Sequence, residues 1–599
     1  MDVPVVLLLL CMAASGPAAT YSHSHHRQDH HPYLHSHTRH HHEGSDGFTS
    51  LPERMVEEGE LVASSMDTHD KKDLDVLLSF KESITADPYG ILYNWTAENS
   101  GTICSSWYGI SCRLHTKRVV AIHLVEKDLK GTLSPSIGNL SLLHSLNVFD
   151  NYFSGRIPPE FGELKVLQTL NLSENLLSGP IPAEVGLLKA LRTLDLSENM
   201  LSSSIPAELC QLQNLQSLVL DYNDFSGRIP RELGNLTQLT HLSISRDNML
   251  GSIPCEIFSL PLQSLSLSQN FSIPEAIVNL TSLSELYIYE NSFTKLPRGI
   301  SSLPKLTNLA LSSFYGNNLS INILKVIANL TTLTYLDLSG NGPSDDIFRT
   351  ISKLTTMTYL DLSFNMLTNN IFVAISNLTQ LTTLHLYGNN FIGSIPVTLS
   401  NLTRLTSLDL SFNNFTGSIP VALGSLTQLT NLDLSRNKLN GTIPISLAKL
   451  TQLISLYLSY NELTSGIPVA IGNLTHLIAL ALSGNNLNGT IPISLSKLTQ
   501  LIDLDLSENK LTGSIPEAIT NLRNVEYLGI SNNNITGTIP RAIGKLHSLQ
   551  SLDLASNKLN GFIPDTIGHL KALNYLSLYN NSFSGSIPNS INDLNSMYY

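Results

Sequence analysis

The sequence predicts a solenoid of about twenty repeats of 24 residues, stacked along one axis. The phrase Leu-x-Leu-x-x-Asn recurs along the chain, and its asparagine falls at 24-residue intervals from Asn341 to Asn581 and from Asn151 to Asn223. A fixed period of 20 to 50 residues is typical of stacked repeats. Apolar residues make up 42% of the chain, enough for one continuous core. Such an array favours recognition over a long surface rather than chemistry in a pocket.

The segment Leu429–Leu450 shows what each part of a repeat is expected to do. Leu432 and Leu434 alternate with polar residues, which is the period of a strand with one buried face. Asn437 is expected to turn inward and satisfy unpaired backbone groups between neighbouring coils. Pro444 stops regular strand extension. One coil cannot bury its own leucines, so stacked coils share a core.

The first 70 residues precede the repeats. Residues 1–19 are predicted to be a secretory signal peptide, with an apolar core and small residues before the cleavage point; the alternative is a buried N-terminal helix. Residues 20–70 are rich in histidine and poor in apolar residues, which predicts disorder. Loose binding of zinc, copper or nickel is a functional alternative for this tract, and a tail without a role is the favoured one. No other apolar run reaches the ~18 residues that a membrane span needs.

Residues 71–114 are predicted to form an N-terminal cap that covers the apolar end of the first repeat. The segment combines helical leucine spacing with Trp95 and Trp107, the two tryptophans of the chain. Cys104 and Cys112 flank Trp107 and are expected to form a disulfide. A zinc site is the alternative, but two cysteines are too few ligands. The repeats then occupy residues 115–599.

The net charge, the cysteines and the sequons indicate the environment of the protein and the classes of partner that it can bind. The formal net charge of −13 argues against nucleic acid or an anionic membrane surface. Cys210 and Cys255 stand at different places in repeats two apart, so they are expected to remain thiols, with Cys210 in the core. Glycosylation is predicted at the sequon residues Asn94, Asn139, Asn235, Asn279, Asn329, Asn377, Asn401, Asn440, Asn473, Asn488 and Asn534.

The repeats Leu429–Leu450 and Leu501–Leu522 resemble the plant-specific leucine-rich repeat. The cap, with Leu77 to Lys81 followed by Trp95, Cys104, Trp107 and Cys112, is similar to the cap of plant receptor-like kinase ectodomains and receptor-like proteins. The resemblance implies an α/β-type solenoid, a right-handed superhelix with a parallel β-sheet on its concave face. It also implies a peptide or protein ligand on that face, a co-receptor of the leucine-rich-repeat kinase type, and a role in developmental or defence signalling.

The sequence departs from that family in several ways. It contains no kinase Gly-rich loop and no H-R-D motif, so no enzymatic activity and no cofactor are expected. Two hypotheses for the location remain open: a secreted protein of the apoplast or cell wall, or a plasma-membrane receptor whose natural chain continues into a membrane helix. The alternative function is inhibition of microbial wall-degrading enzymes, as in polygalacturonase inhibitors. The Arg-x-Arg pair with which several family receptors hold a peptide carboxylate is missing; Arg246 and Arg436 stand alone.

Outward-facing strand residues are the candidate binding groups. The aspartates of the Leu-Asp-Leu-Ser phrase, such as Asp337 and Asp361, are expected to form a solvated acidic stripe. The period breaks after Asp247, with intervals of 23, 21 and 26 residues, and a protruding loop in a regular array often carries recognition, although neutral drift is an equal alternative. Exposed aromatic residues are favoured anchors of interfaces. The alternative explanation is that tyrosine is common in strands because it packs well on their surface. The predicted ligand-binding residues are Tyr287, Tyr289, Glu290, Phe314, Tyr315, Tyr335 and Tyr359.

Overall fold

A long parallel sheet runs through the whole repeat region. A computed structural model of the protein describes residues 68–245, 248–249, 251–268, 273–289, 296–313, 321–342 and 347–594. Pairing proceeds in one line from strand to strand; the first pair is antiparallel and all the others are parallel and in register. The 21 strands are Ile110–Cys112, Val119–His123, Ser145–Asn147, Thr169–Asn171, Thr193–Asp195, Ser217–Val219, His241–Ile244, Ser264–Ser268, Glu285–Tyr289, Asn308–Ala310, Tyr335–Asp337, Tyr359–Asp361, Thr383–His385, Ser407–Asp409, Asn431–Asp433, Ser455–Tyr457, Ala479–Ala481, Asp503–Asp505, Tyr527–Gly529, Ser551–Asp553 and Tyr575–Ser577.

The repeat asparagines join consecutive coils, as predicted. The Nδ2 of Asn437 donates to the carbonyl oxygens of Leu410 in the preceding coil (3.0 Å) and Leu434 in its own (3.2 Å). Its Oδ1 accepts from the backbone N–H of Phe415 (3.0 Å). The leucines beside it are fully buried. Each asparagine therefore pairs backbone groups that the dry interior would leave unsatisfied.

A second row of short strands follows the asparagines in both outer parts of the array. Here the chain meets the previous coil again in parallel register, as between Lys438 and Thr416. The first strand of this row belongs to the cap and pairs antiparallel with Lys130–Thr132. The row comprises Ile84–Ala86, Lys130–Thr132, Tyr152–Gly155, Leu176–Gly179, Met200–Ser203, Asp224–Gly227, Asn248–Met249, Ile392–Gly393, Asn414–Ser418, Lys438–Gly441, Glu462–Ser465, Asn486–Leu487, Thr536–Gly537, Lys558–Gly561 and Ser582–Phe583.

Most coils close through a 3₁₀ turn that begins just after the Ile-Pro pair. The proline is the N-cap in an extended conformation, as at Pro444 (φ −71°, ψ 134°). Proline fixes φ and lacks an N–H, so it suits a helix start and stops the strand before it. The 3₁₀ segments are Ala97–Thr102, Pro135–Asn139, Pro159–Glu163, Ala183–Leu187, Ala207–Gln211, Arg231–Asn235, Cys255–Ser259, Glu275–Asn279, Arg298–Ser302, Val397–Asn401, Val421–Ser425, Ile445–Lys449, Val469–Asn473, Ile493–Lys497, Glu517–Asn521, Arg541–Lys545, Asp565–His569 and Asn589–Asp593.

Three neighbouring repeats differ because they lack the Ile-Pro pair. Their coils close with short α-helices, Ile321–Ile327, Ile347–Ile351 and Ile371–Ile375. Without the proline, backbone N–H groups remain available for i to i−4 bonds. The amide of Ser376, for example, donates to the carbonyl of Phe372 (3.0 Å). The repeat pattern predicts strands throughout but does not reveal this change of helix type.

The cap is built as predicted around the disulfide and the tryptophans. Its helices are Thr68–Glu82 and Ile103–Ser106. Cys104 and Cys112 form the disulfide, with a Cα–Cα distance of 5.4 Å, and the rings of Trp95 and Trp107 stack at 5.3 Å. Phe80 stacks on Phe153 of the repeats (6.0 Å), so cap and solenoid share one core.

A buried ion pair connects the cap helix to the first repeat. The Asp73 carboxylate accepts hydrogen bonds from Nε and Nη2 of Arg118 (2.7 and 2.9 Å) and from the backbone N–H of Val119 (3.0 Å). The first helix begins at Thr68, three residues before the predicted cap boundary. The predicted signal peptide and almost all of the histidine-rich segment lie outside the described residues. Within the described ranges, no helix is both long and apolar enough to cross a bilayer.

Candidate ligand-binding surface

Two rows of side chains point away from the core along the long sheet. In the three-residue strands from Ser145–Asn147 to Ser551–Asp553 the middle residue is a buried leucine, so the residues before and after it face outward. We call these the leading row and the trailing row. Tyr335 and Tyr359 are register partners in the leading row, and Asp337 and Asp361 are partners in the trailing row. Because neighbouring strands are about 4.8 Å apart, side chains of one row touch each other.

The four described members of the predicted site do come together. The rings of Tyr335 and Tyr359 are stacked, with centroids 4.2 Å apart and planes 11° apart. Tyr287 meets Tyr335 edge-on at 6.2 Å and lies almost parallel to Tyr289, also at 6.2 Å. The remaining predicted members, Glu290, Phe314 and Tyr315, lie outside the described residues. The tyrosine cluster, as we call Tyr287, Tyr289, Tyr335 and Tyr359, therefore joins the irregular stretch of the array to the regular repeats that follow it.

These rings are less exposed than free interface anchors. Tyr287 is 7% exposed, and Tyr335 and Tyr359 are half-buried. The Nδ2 of Asn308 donates to the Tyr287 hydroxyl (3.3 Å). Burial raises the pKa of Tyr287 to about 12 and also raises the pKa values of Tyr335 and Tyr359, so all three hydroxyls are neutral. The cluster offers a rigid aromatic surface with neutral hydroxyl groups.

The prediction of a solvated acidic stripe is wrong for the central repeats. Asp337 and Asp361 are each only 6% exposed. Their Oδ1 atoms accept the backbone N–H groups of Ser339 and Ser363, both at 2.8 Å. Burial, followed by the charge of Asp361, raises the pKa of Asp337 to about 7. The tyrosines and aspartates of adjacent repeats cover one another, which strand alternation alone does not reveal.

The sequence reasoning missed His385, which completes this cluster. Its ring meets Tyr359 edge-on at 5.7 Å, its Nδ1 is 3.6 Å from the Asp361 carboxylate, and its Nε2 is 3.3 Å from the Ser407 hydroxyl. Burial opposes the charged form, but the hydrogen bond and charge of Asp361, with smaller contributions from Asp409, leave the pKa of His385 raised. The 24-residue step from Asp337 through Asp361 to His385 is visible in the sequence and signals this contact.

A third row of side chains, directly before the repeat asparagines, carries well-exposed aromatic residues. Phe364 and Phe412 expose 59% and 53% of their surface. The guanidinium of Arg436 lies 4.8 Å from the ring centroid of Phe412 and 4.6 Å from that of Tyr460. All four residues have φ between 50° and 55°, a left-handed conformation that turns them out of the strand. Arg436, which stands without a second arginine in the sequence, is thus held between two rings.

The predicted modification sites and thiols occupy different environments. Most of the predicted sequon asparagines are exposed, and Asn534 is half-buried. Asn94 is instead buried, and its Nδ2 donates to the Ser106 carbonyl, so the folded cap does not present it for glycosylation. Cys210 is buried in the core, where burial raises its thiol pKa to about 11, and Cys255 is exposed. Both are thiols, as expected.

Comparisons with known proteins agree with this architecture. Residues 70–113 match the leucine rich repeat N-terminal domain, residues 110–249 match a leucine-rich repeat region, and residues 379–583 match overlapping leucine rich repeat units. The chain is 35% identical to the plant peptide hormone receptor RGFR1, solved in complex with RGF2, with a TM-score of 0.52 over 82% of this chain and 85% of that one. A TDR receptor structure is 27% identical, with a TM-score of 0.50 over 84% and 90% of the two chains.

Curated relatives match over shorter stretches. The rice (Oryza sativa) receptor kinase-like protein Xa21 is 41% identical over 80 residues, which are 13% of this chain and 8% of the relative. The Arabidopsis thaliana receptor-like kinase EFR is 38% identical over 82 residues, 14% of this chain and 8% of the relative. The aligned region thus spans less than a tenth of each of these relatives. The chain belongs to the leucine-rich-repeat proteins, and its repeat region is of the plant receptor-ectodomain type.

Proposed function

We propose that this protein is an extracellular recognition protein without catalytic activity of its own, which binds a peptide or protein ligand on the outward face of the long sheet. The observation that carries the proposal is the tyrosine cluster, a group of stacked aromatic rings on a rigid, in-register sheet. The similarity to RGFR1, which was solved with a peptide hormone, supports the same class of ligand. Aromatic side chains fixed by their neighbours lose little conformational entropy on binding.

The binding region comprises the tyrosine cluster together with Glu290, Phe314 and Tyr315 of the adjoining segments. Tyr335 and Tyr359 present neighbouring ring edges, against which an apolar or aromatic ligand side chain can pack. His385 borders the same surface, edge-on to Tyr359, and supplies a polar contact. An extended peptide that crosses several strands would use this region as its anchor, in developmental or defence signalling. A leucine-rich-repeat kinase is the proposed co-receptor, and the apoplast or the outer face of the plasma membrane is the proposed location.

The test is a binding experiment with matched tyrosine variants. Peptides are selected from a display library on the immobilised protein, and their affinity is measured by calorimetry. Tyr359→Ala is expected to weaken binding at least about tenfold, as for a central aromatic anchor. Tyr527→Ala is the control, because Tyr527 has the same place in the leading row seven repeats later. Equal affinity for both variants, or peptides that bind only elsewhere, would refute the proposed site.

A further inference from the structure

Six consecutive repeats expose a β-branched apolar side chain at the same position, directly after the coil's proline or its equivalent. Each of these side chains is between 62% and 75% exposed. In the flanking repeats the position carries charged residues, Lys325 and Arg349 before the run and Glu517 and Arg541 after it. We call the six residues the apolar ridge: Val373, Val397, Val421, Ile445, Val469 and Ile493.

The ridge is rigid. A Cβ at Gly424 would collide with the backbone oxygen of Ser446 in the next coil, so successive coils approach closely at this point. The Ser494 hydroxyl donates to the carbonyl of Val469 in the previous coil (2.7 Å), which fixes the step between ridge residues. Valine and isoleucine also have few side-chain rotamers. Burying this surface therefore costs little conformational entropy, which favours association.

We propose that the apolar ridge is a pairing surface for a second copy of this chain, with the two ridges antiparallel across a two-fold axis. An identical ridge has the same step between side chains, so the ridge side chains of the two copies meet in register. In this arrangement Val421 of each copy faces Ile445 of the other. At the ends, Arg349 faces Glu517 of the second copy, so opposite charges meet twice. One position further out, Lys325 would face Arg541, and this like-charge pair bounds the contact.

The available area fits such a dimer. Full burial of a valine or isoleucine removes roughly 100 Å² of apolar surface from water, so the six ridge side chains offer about 400 Å² per copy. A standard interface buries about 800 Å² per partner, and slightly more than half of that is apolar. The ridge supplies the apolar half, and the small polar residues beside it supply the rim. We expect a reversible dimer in the micromolar range, because the apolar contact is limited to the six ridge side chains and association itself costs translational and rotational entropy.

The sequons Asn377, Asn401 and Asn473 lie four residues after ridge residues in the same coils, so glycans at these sites would flank the ridge. The test therefore uses the full protein from a plant host that attaches glycans. Sedimentation velocity over a range of concentrations should show a monomer–dimer equilibrium. A protein that remains monomeric while glycosylated, even at high micromolar concentration, would overturn the proposal.

Charge variants test the register. Val421→Asp and Ile445→Lys should each weaken the dimer at least about tenfold, because each buries charges in the contact. With both changes in one chain, the introduced carboxylate of each copy lies opposite the introduced ammonium group of the other. The double variant should therefore return to within about threefold of wild type. Mixing the two single variants should likewise produce a heterodimer.

Ile587→Asp is the control, since Ile587 is 70% exposed but lies outside the ridge, and it should leave the dimer unchanged. Circular dichroism verifies that each variant is folded. A dimer that resists Val421→Asp, or a double variant weaker than both single variants, would refute antiparallel pairing through the ridge.

Discussion

Replacing Asn437 by alanine tests how the coils are joined. The side chain satisfies the backbone N–H of Phe415 and the carbonyl oxygens of Leu410 and Leu434, all in the dry interior. Each buried group left without a partner costs roughly 1–3 kcal/mol, so Asn437→Ala should lower the free energy of unfolding by about 4 kcal/mol. Asn581 makes equivalent bonds but is only half-buried near the end of the array. Because water can replace its bonds, Asn581→Ala should cost about 1 kcal/mol.

Urea unfolding followed by far-ultraviolet circular dichroism measures both losses. Tryptophan fluorescence is unsuitable, because both tryptophans lie in the cap. Hydrogen exchange with mass spectrometry locates the effect, since a solenoid repeat interacts mainly with its neighbours. Exchange should accelerate around Leu410 and Phe415 in Asn437→Ala and remain unchanged in the cap. Equal losses for Asn437→Ala and Asn581→Ala would refute the view that buried backbone pairing makes the asparagine indispensable.

The cluster and the cap give three further predictions. The pKa of Asp337 is higher in the folded than in the unfolded protein, so its contribution to stability falls as pH rises from about 4 to about 7. Asp337→Asn should therefore be more stable than wild type at pH 7.5, by about 1–3 kcal/mol. Urea midpoints of both proteins at pH 5.0 and 7.5 measure this difference. Asp73→Asn leaves the buried guanidinium of Arg118 without its carboxylate and should destabilise the cap by about 3 kcal/mol, read from tryptophan fluorescence during unfolding; a loss below ~1 kcal/mol would contradict this. Reducing the Cys104–Cys112 disulfide should cost about 2–3 kcal/mol, seen by the same fluorescence with and without reductant, while circular dichroism of the repeats stays unchanged.

The period alone predicted the main features of the fold. A 24-residue step places each residue beside its register partner, which is why Tyr335 pairs with Tyr359. The inward asparagine and the cap disulfide also followed from local chemistry, because unpaired backbone groups need partners and an exposed apolar end needs a cover. These features depend on one repeat or on its immediate neighbour, and such information is present in a single sequence.

Burial on the sheet face could not be predicted in the same way. Asp337 faces outward by strand alternation, yet it is nearly inaccessible because large side chains stand beside it in the next repeats. Whether a row of strand side chains is exposed to solvent or buried depends on the side chains of three or four neighbouring repeats together. The short α-helices of the middle repeats form where the Ile-Pro pair is missing. The repeat pattern shows that the proline is absent but does not predict which structure forms in its place.

The two proposed surfaces belong to different segments of each coil, so they can act together. The tyrosine cluster is carried by the strands up to Tyr359, whereas the apolar ridge begins at Val373, after the chain has turned away from the sheet. In five of the six ridge repeats, the strand and the ridge residue are separated by the asparagine and the Ile-Pro pair, both of which are fixed by the core. A ligand on the sheet therefore leaves the ridge accessible, and pairing through the ridge leaves the tyrosines accessible. A dimer of this kind would present two ligand sites, because neither proposed surface covers the other.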